Sequence, residues 1–163
     1  MAISVRAARV QDAPALGRMG AALVGLHHAY DAQRFMKPED DVESGYRWWL
    51  SRELKRKGAV VLVAEREEQV VGYVYATVEG RDWKTLRDAH AELHDVWVDA
   101  SARGSGVGAL LLEETLRRLK ALGVPRVMLM AAARNEAAQR LFARFGWRPT
   151  MVEMTRELEG SEE

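Results

Sequence analysis

Arg103, Gly104, Ser105, Gly106, Val107 and Gly108 are the residues whose types and spacing most directly imply chemistry. Glycines alternating with small residues make a poor helix and a poor strand. They nevertheless lie between an apolar run, Leu93–Val98, and a helical pattern, Val107–Leu122. A turn of this kind presents several free backbone N–H groups in one direction, and the helix dipole adds about half a positive charge at that end. Arg103 adds a full charge beside them. The combination suits a diphosphate, while the plainer role is a tight turn that needs positive φ. A Walker A loop is excluded, since no Gly-Lys-Ser/Thr is present. Gly104-x-Gly106-x-x-Ala109 matches a loose dinucleotide motif, but that motif expects an acidic residue about 20 positions on, ending the next strand. The chain has Met130, Ala131, Ala132 and Ala133 there.

Elements on both sides must position this turn. Ile3–Arg6 reads as a short strand, and Asp12 as the N-cap of a helix with Leu16, Met19, Leu23 and Leu26 at helical spacing, broken at Lys37-Pro38. Asp40 and Asp41 open a second helix, carrying Val42, Tyr46, Trp49 and Leu50 and ended by Gly58. Val60–Ala64 and Val70–Val78 are rich in β-branched residues and joined by the charged turn Arg66–Gln69, which predicts a hairpin. A polar segment, Glu79–His90, leads to a strand over Ala91–Val98. The helix after the glycines turns Leu111, Leu112, Leu116 and Leu119 inward and stops at Gly123. Val127–Ala131 reads as a strand, and Asn135 caps a helix with Ala138, Leu141, Phe142 and Phe145 on one side. Gly146 ends it, and Met151–Leu158 reads as a last strand. The order β-α-α-β-β-β-α-β-α-β predicts a mixed sheet covered by helices in one domain over residues 1–159, with 160–163 frayed.

The chain has 163 residues, enough for a genuine core. Its 24 basic and 24 acidic residues balance, so no whole-molecule field attracts nucleic acid. There is no cysteine, which excludes disulfides and thiolate nucleophiles or metal ligands. The N-terminus lacks the apolar core of a signal peptide, and no run approaches the roughly 20 apolar residues of a membrane span. A cytoplasmic protein with no membrane and no nucleic-acid partner is expected.

The pattern Arg-x-x-Gly-x-Gly between strand and helix resembles the acyl-CoA pyrophosphate loop of the GNAT superfamily of N-acetyltransferases. LHDVWVDASARGSGVGALLLEETLRRLKALG is similar to that superfamily's central strand, loop and helix, and ARNEAAQRLFARFGW to its second motif. The resemblance covers residues 91 to 148. It implies a mixed, mostly antiparallel twisted α/β (α+β) sheet of six to seven strands flanked by about four helices, with the fourth and fifth strands splayed apart. It implies acetyl-CoA as cosubstrate, an amine as acceptor and no metal; a homodimer is common among such proteins. By the same resemblance, Val96, Trp97 and Val98 offer backbone groups to the pantetheine arm. Arg103, Gly104, Ser105, Gly106, Val107 and Gly108 wrap the pyrophosphate, Ala109 sits at the first helical turn, and Asn135 contacts the pantetheine. Asn135 has a second role open to it, as a simple N-cap.

An amine must be neutral to attack a thioester, so a base is expected. Many relatives place a glutamate where this chain has His94, and histidine is the side chain that most readily exchanges a proton near neutrality. Glu92, two residues earlier on the same strand face, is the alternative base, acting through water. The superfamily often has a tyrosine acid where this chain has Phe142, which has no proton to give and joins the helix's apolar stripe, in contact with the cofactor's sulfur end. The tetrahedral intermediate needs a donor for its oxyanion, and the resemblance implies a backbone N–H of the central strand near Trp97–Val98. Direct transfer is expected, since no cysteine or Ser-His-Asp array is evident. The resemblance implies that the first two helices and the loop joining them shape the acceptor pocket; Asp31, Glu39, Asp40, Asp41 and Glu43 make that stretch acidic, either to attract a cationic amine or to complement a helix dipole. His27, His28 and Asp31 have too few companions for a metal site. Trp48-Trp49 reads as one core ring and one partly exposed ring. Two other readings stay open, a CoA-binding sensor domain of the same fold and a dinucleotide-binding module.

Overall fold

Strand and helix assignments follow the sequence pattern closely in the computed structural model, which describes residues 2–160. The elements are β1 (Ile3–Ala7), α1 (Ala13–Tyr30), α2 (Val42–Glu53), β2 (Ala59–Arg66), β3 (Gln69–Glu79), β4 (His90–Val98), α3 (Val107–Ala121), β5 (Val127–Leu129) and α4 (Glu136–Arg144). The strands form one sheet in the order β1-β2-β3-β4-β5. All neighbours are antiparallel except β4 and β5, which are parallel over three pairs, Ala91 with Val127, Glu92 with Met128 and Leu93 with Leu129. The β2–β3 hairpin turns on Glu67 and Glu68, both at positive φ, as a tight two-residue hairpin requires.

Alternation along the strands separates two apolar layers. Leu62, Ala64, Val74, Ala76, Ala91 and Leu93 face α3 through Val107, Leu111, Leu112 and Leu119, with Leu141, Phe142 and Phe145 of α4 packed at the margin. Val61, Val63, Tyr73 and Tyr75 face α1 and α2 through Leu16, Met19 and Leu50. The two helices cross closely at Gly20, where a Cβ would lie 2.0 Å from the Tyr46 ring.

Four expectations are corrected. The sheet has five strands among the described residues, not six to seven, because residues 151–158 form no strand. Pro149 and the bond from the Trp147 indole to the Val127 carbonyl, at 3.0 Å, spoil the approach to the outer edge of β5, and Glu153 pairs instead with Arg34. Met151, Val152 and Met154 are left exposed. Helix α1 ends at Tyr30, well before Lys37-Pro38. Within α3, Thr115 is buried rather than Leu116, its hydroxyl satisfied by the Leu111 carbonyl at 2.7 Å. Neither Trp48 nor Trp49 is a core residue; both are exposed, with Arg52 over the Trp48 ring at 4.9 Å. No helix among the described residues is long and apolar enough to cross a membrane. Of the expected frayed tail, 161–163 lie outside the described residues.

Candidate active site

Beyond Leu93 the fourth and fifth strands part, and β4 runs on to Val98 with one edge unpaired by β5. The amide of Asp99 donates to Val71 on the β3 side at 2.8 Å. Alternation therefore turns the backbone groups of Val96 and Val98 toward the open edge and those of Trp97 toward β3. Arg103 bears this out, since its Nε donates to the Val98 carbonyl at 3.0 Å.

The open edge leads to the glycine turn. Gly104 and Gly106 have φ of 78° and 83°, the left-handed region that favours glycine, and no protein atom lies within 4 Å of a Cβ built on either. Conformation, not crowding by the protein, demands glycine there. Among the described residues, the amides from Gly104 to Ala109 make no close main-chain hydrogen bond; the first to do so is Leu110, bonded to the Gly106 carbonyl at 3.1 Å. These N–H groups belong to the turn and to the first residues of α3. Helix α1 braces this end: Arg18 grips Asp99 with two bonds of 3.1 Å, Asp99 accepts the Trp97 indole at 2.9 Å, and the Arg103 guanidinium lies 5.0 Å over the Trp97 ring.

At the inner end of the gap, β4 carries a bulge. Tyr75 pairs with Asp95 and Ala76 with Leu93, so His94 is the extra residue. A bulge breaks the alternation, and consequently His94 and Asp95 both face α1 and α2. His94 is exposed, stacked on Tyr75 with ring centroids 4.8 Å apart, and its Nε2 lies 2.8 Å from Thr77 Oγ1. Asp95 is buried and accepts the hydroxyls of Tyr46 at 2.5 Å and Tyr73 at 2.9 Å. Burial outweighs these bonds and pushes its carboxyl above the ordinary carboxylate range, while burial and the neighbouring Asp95 push both phenols up. Glu92 shares this face, being paired with Thr77, and is held by Arg87 at 3.2 Å.

The remaining residues singled out from the sequence divide by role. Asn135 caps α4, its Oδ1 accepting the Ala138 amide at 3.1 Å, which leaves its side-chain NH2 free of that bond. Phe142 lies edge-to-face against Trp147 at 5.7 Å, within the apolar layer. Around the C-terminal end of α1, His27 packs against Tyr30 and Phe35, and Arg134 donates to the Tyr30 carbonyl at 2.6 Å, tying the β5–α4 loop to α1. Asp31 accepts the amides of Gln33 and Arg34 and so shapes its own turn. Asp95, Tyr46, Thr77 and Glu79 were not anticipated. Strict alternation assigns Asp95 to the α3 face, and only the bulge returns it to this one.

Comparison with known proteins agrees with this geometry. Residues 23–147 match the model of the Acetyltransferase (GNAT) family. A mycothiol acetyltransferase of Brachybacterium faecium is 37% identical over 87 residues, which cover 53% of this chain and 25% of that protein. An uncharacterized N-acetyltransferase of Archaeoglobus fulgidus is 30% identical over 105 residues, covering 63% of this chain and 67% of the relative. The chain thus spans a quarter of the first relative and two thirds of the second. In structure it superposes on the PaiA N-acetyltransferase of Thermoplasma acidophilum, solved in complex with coenzyme A, with a TM-score of 0.77 at 16% identity over 94% of each chain. With a family match over most of its length, and with a parted strand pair opening onto a glycine turn, the chain belongs to the GNAT acetyltransferase family.

Proposed function

We propose that this chain, acting as one domain over residues 1–159, is an N-acetyltransferase that moves the acetyl group of acetyl-CoA to a primary amine. The amine belongs to a small molecule or a protein, and the transfer is a direct attack in a ternary complex. One observation carries the proposal: the edge of β4 that β5 leaves unpaired, with the main-chain groups of Val96 and the amide of Val98 turned to it, leads to the amides of the Gly104–Ala109 turn. An amide-containing arm that ends in a diphosphate matches that path, strand pairing at one end and anion binding at the other. Arg103 adds charge, Asn135 offers its side-chain NH2, and Phe142 bounds the α4 side. The thioester supplies an activated acyl carbon and a thiolate leaving group.

The residues of the site then divide the work. His94 takes the proton from the incoming ammonium, a removal that costs roughly 4 to 5 kcal/mol for a lysine-like amine at pH 7. Glu92 is the alternative base, through water, once released from Arg87. The amide of Val96 or Val98 donates to the oxygen that gains charge as the amine adds. Phe142 has no proton for the departing sulfur. The first proton leaves His94 to water, and the second, shed by the nitrogen once it has added to the thioester carbon, reaches the sulfur through His94 or water as the carbon–sulfur bond breaks. The acidic residues Glu39, Asp40, Asp41 and Glu43 are exposed on the acceptor side and favour a cationic amine.

Thiol release from acetyl-CoA, measured against a panel of polyamines, aminoglycosides and lysine peptides, tests the reading. Turnover with at least one amine, with none in its absence, is the expected result. Phe142 also favours a second reading, a domain that binds CoA without turning it over, and stabilisation by CoA with no turnover across the panel would establish that one instead. Gel filtration decides the homodimer, and localisation of the tagged chain decides the cytoplasmic placement.

A further inference from the structure

We propose that Thr77 and Glu79 are positioning residues for His94, forming a hydrogen-bonded chain that fixes which imidazole nitrogen holds the proton and leaves Nδ1 as the base. The inference rests on His94 being the base. Thr77 is fully buried, and its Oγ1 lies 2.8 Å from both Glu79 Oε1 and His94 Nε2. Arg56 donates to the same Glu79 oxygen at 3.0 Å. Burial acts to raise the Glu79 carboxyl, but the bonds from Thr77 and Arg56 outweigh it and hold the group below the usual range. A carboxylate only accepts, and a threonine hydroxyl has one proton to give. That proton goes to Glu79, so the hydroxyl oxygen must accept from His94.

Nε2 therefore carries hydrogen in both charge states, and in the neutral ring Nδ1 holds the lone pair. Stacking on Tyr75 fixes the plane of the ring. During the reaction Nδ1 takes one proton from the ammonium and yields it to water, and the neutral amine then adds to the thioester carbon. Nδ1 takes the second proton from the nitrogen that has added and gives it to the departing sulfur, so that ammonium and thioester become amide, thiol and one proton in water. The protons on Nε2 and on Thr77 stay where they are; the chain orients the ring and stabilises the imidazolium without relaying a proton. Other groups near the ring set its charge balance. From β3 these are Tyr75, Thr77 and Glu79; from β4 and the residues before it, Glu92, Asp95 and Arg87. Beyond them, Tyr46 of α2 and Tyr73 reach it through Asp95, Arg56 through Glu79, and His27 of α1 acts on Asp95. Glu79 is the carboxylate joined to the ring by a single bridging hydroxyl.

The test is a pH titration of the full chain by proton–nitrogen NMR of the histidine rings, for wild type, Thr77→Val, Thr77→Ser and Glu79→Gln. It is paired with acetyl-CoA thiol release using an amine that turns over. A neutral His94 with its proton on Nε2, protected from solvent in wild type and Thr77→Ser but not in Thr77→Val, is the expected result. Glu79→Gln removes a negative charge that favours the imidazolium, so the His94 titration and the acid limb of the rate profile both move to lower pH. Thr77→Val lowers kcat about 10- to 100-fold with the KM for acetyl-CoA unchanged, and Thr77→Ser restores it. A neutral ring protonated on Nδ1, or an unmoved titration in Glu79→Gln, overturns the chain even should Thr77→Val fail to fold. Loss of activity in His94→Ala beside wild-type profiles in both Thr77→Val and Glu79→Gln also overturns it, while leaving His94 as the base. Full activity of His94→Ala from pH 6 to 9 instead removes the base itself, and the positioning role with it.

Discussion

Replacing Gly20 by alanine opposes helix propensity to packing, and the two predict opposite signs. In a helix interior the change should stabilise by about 1 kcal/mol. In this fold the new Cβ lies 2.0 Å from Tyr46 Cδ1, and ordinary contact begins near 3.4 Å, so the ring must retreat by about 1.4 Å. The Tyr46 hydroxyl sits 2.5 Å from the buried Asp95 carboxylate, and a shift of that size breaks the bond. A buried acceptor that loses a donor costs about 1–3 kcal/mol, and overpacking costs about 1–3 kcal/mol more. Net of the propensity gain, we expect a loss of about 3 kcal/mol, or roughly 6–12 °C in Tm for a chain of this size. Thermal unfolding followed by circular dichroism measures it. Tyr46→Phe separates the two costs, because it removes the hydroxyl without adding volume. The double variant should be destabilised by less than the sum of the singles, since the hydroxyl can be lost only once. A Gly20→Ala protein that melts at or above the wild-type temperature would refute the close crossing of α1 and α2 and the support it gives Asp95.

Other expectations follow from the same geometry. CoA at 100 times its Kd should stabilise the protein by roughly 2.7 kcal/mol, an upward Tm shift of several degrees that Gly106→Val abolishes and NAD does not produce; a wild-type shift in that variant would remove the turn from the binding site. His94→Ala should lower kcat at pH 7 by about 10²- to 10⁴-fold, with CoA stabilisation intact; a proportional loss of CoA binding would assign His94 to the cofactor instead. The hydrogen bonds from Arg6 hold Asp12 below the usual carboxylate range. Its stabilising contribution is therefore full above a pH of about 4 and lost as pH falls through the lower folded value. Asp12→Asn should melt below wild type at pH 7, with the gap closing in acid; a gap that is constant with pH would show that the pairing is not responsible.

Local chemistry and tertiary geometry account separately for what was legible in the sequence. The demand for glycine at 104 and 106 could be read directly, because a strand-to-helix turn with left-handed residues on either side of Ser105 favours glycine at those positions. His94 could be singled out by residue type, and its placement with Glu92 on one face followed from simple alternation. Asp95 could not be placed, since the bulge that brings it to that face is set by the pairing with Tyr75 and Ala76, far away in the chain. Tyr46, Thr77 and Glu79 enter the site from other elements and leave no short-range signal. Residues 151–158 carry a plausible strand pattern, but strand formation needs an edge to pair with, and that of β5 is short and partly spent on Trp147. Trp48 and Trp49 illustrate the limit of hydrophobicity as a guide, since both sit on the outer side of α2.

The parallel ladder between β4 and β5 stops after Leu93 and Leu129. A slot left by a missing ladder recognises the repeat distance of peptide-like groups and is indifferent to whatever else its guest carries. Thioesters differing only in their fatty part would seat there alike. Choice among donors must then fall to the side chains where the ladder ends, and donor preference should be changed by reshaping residues around Leu93, Leu129 and His94 while the grip on the carrier stays as it was.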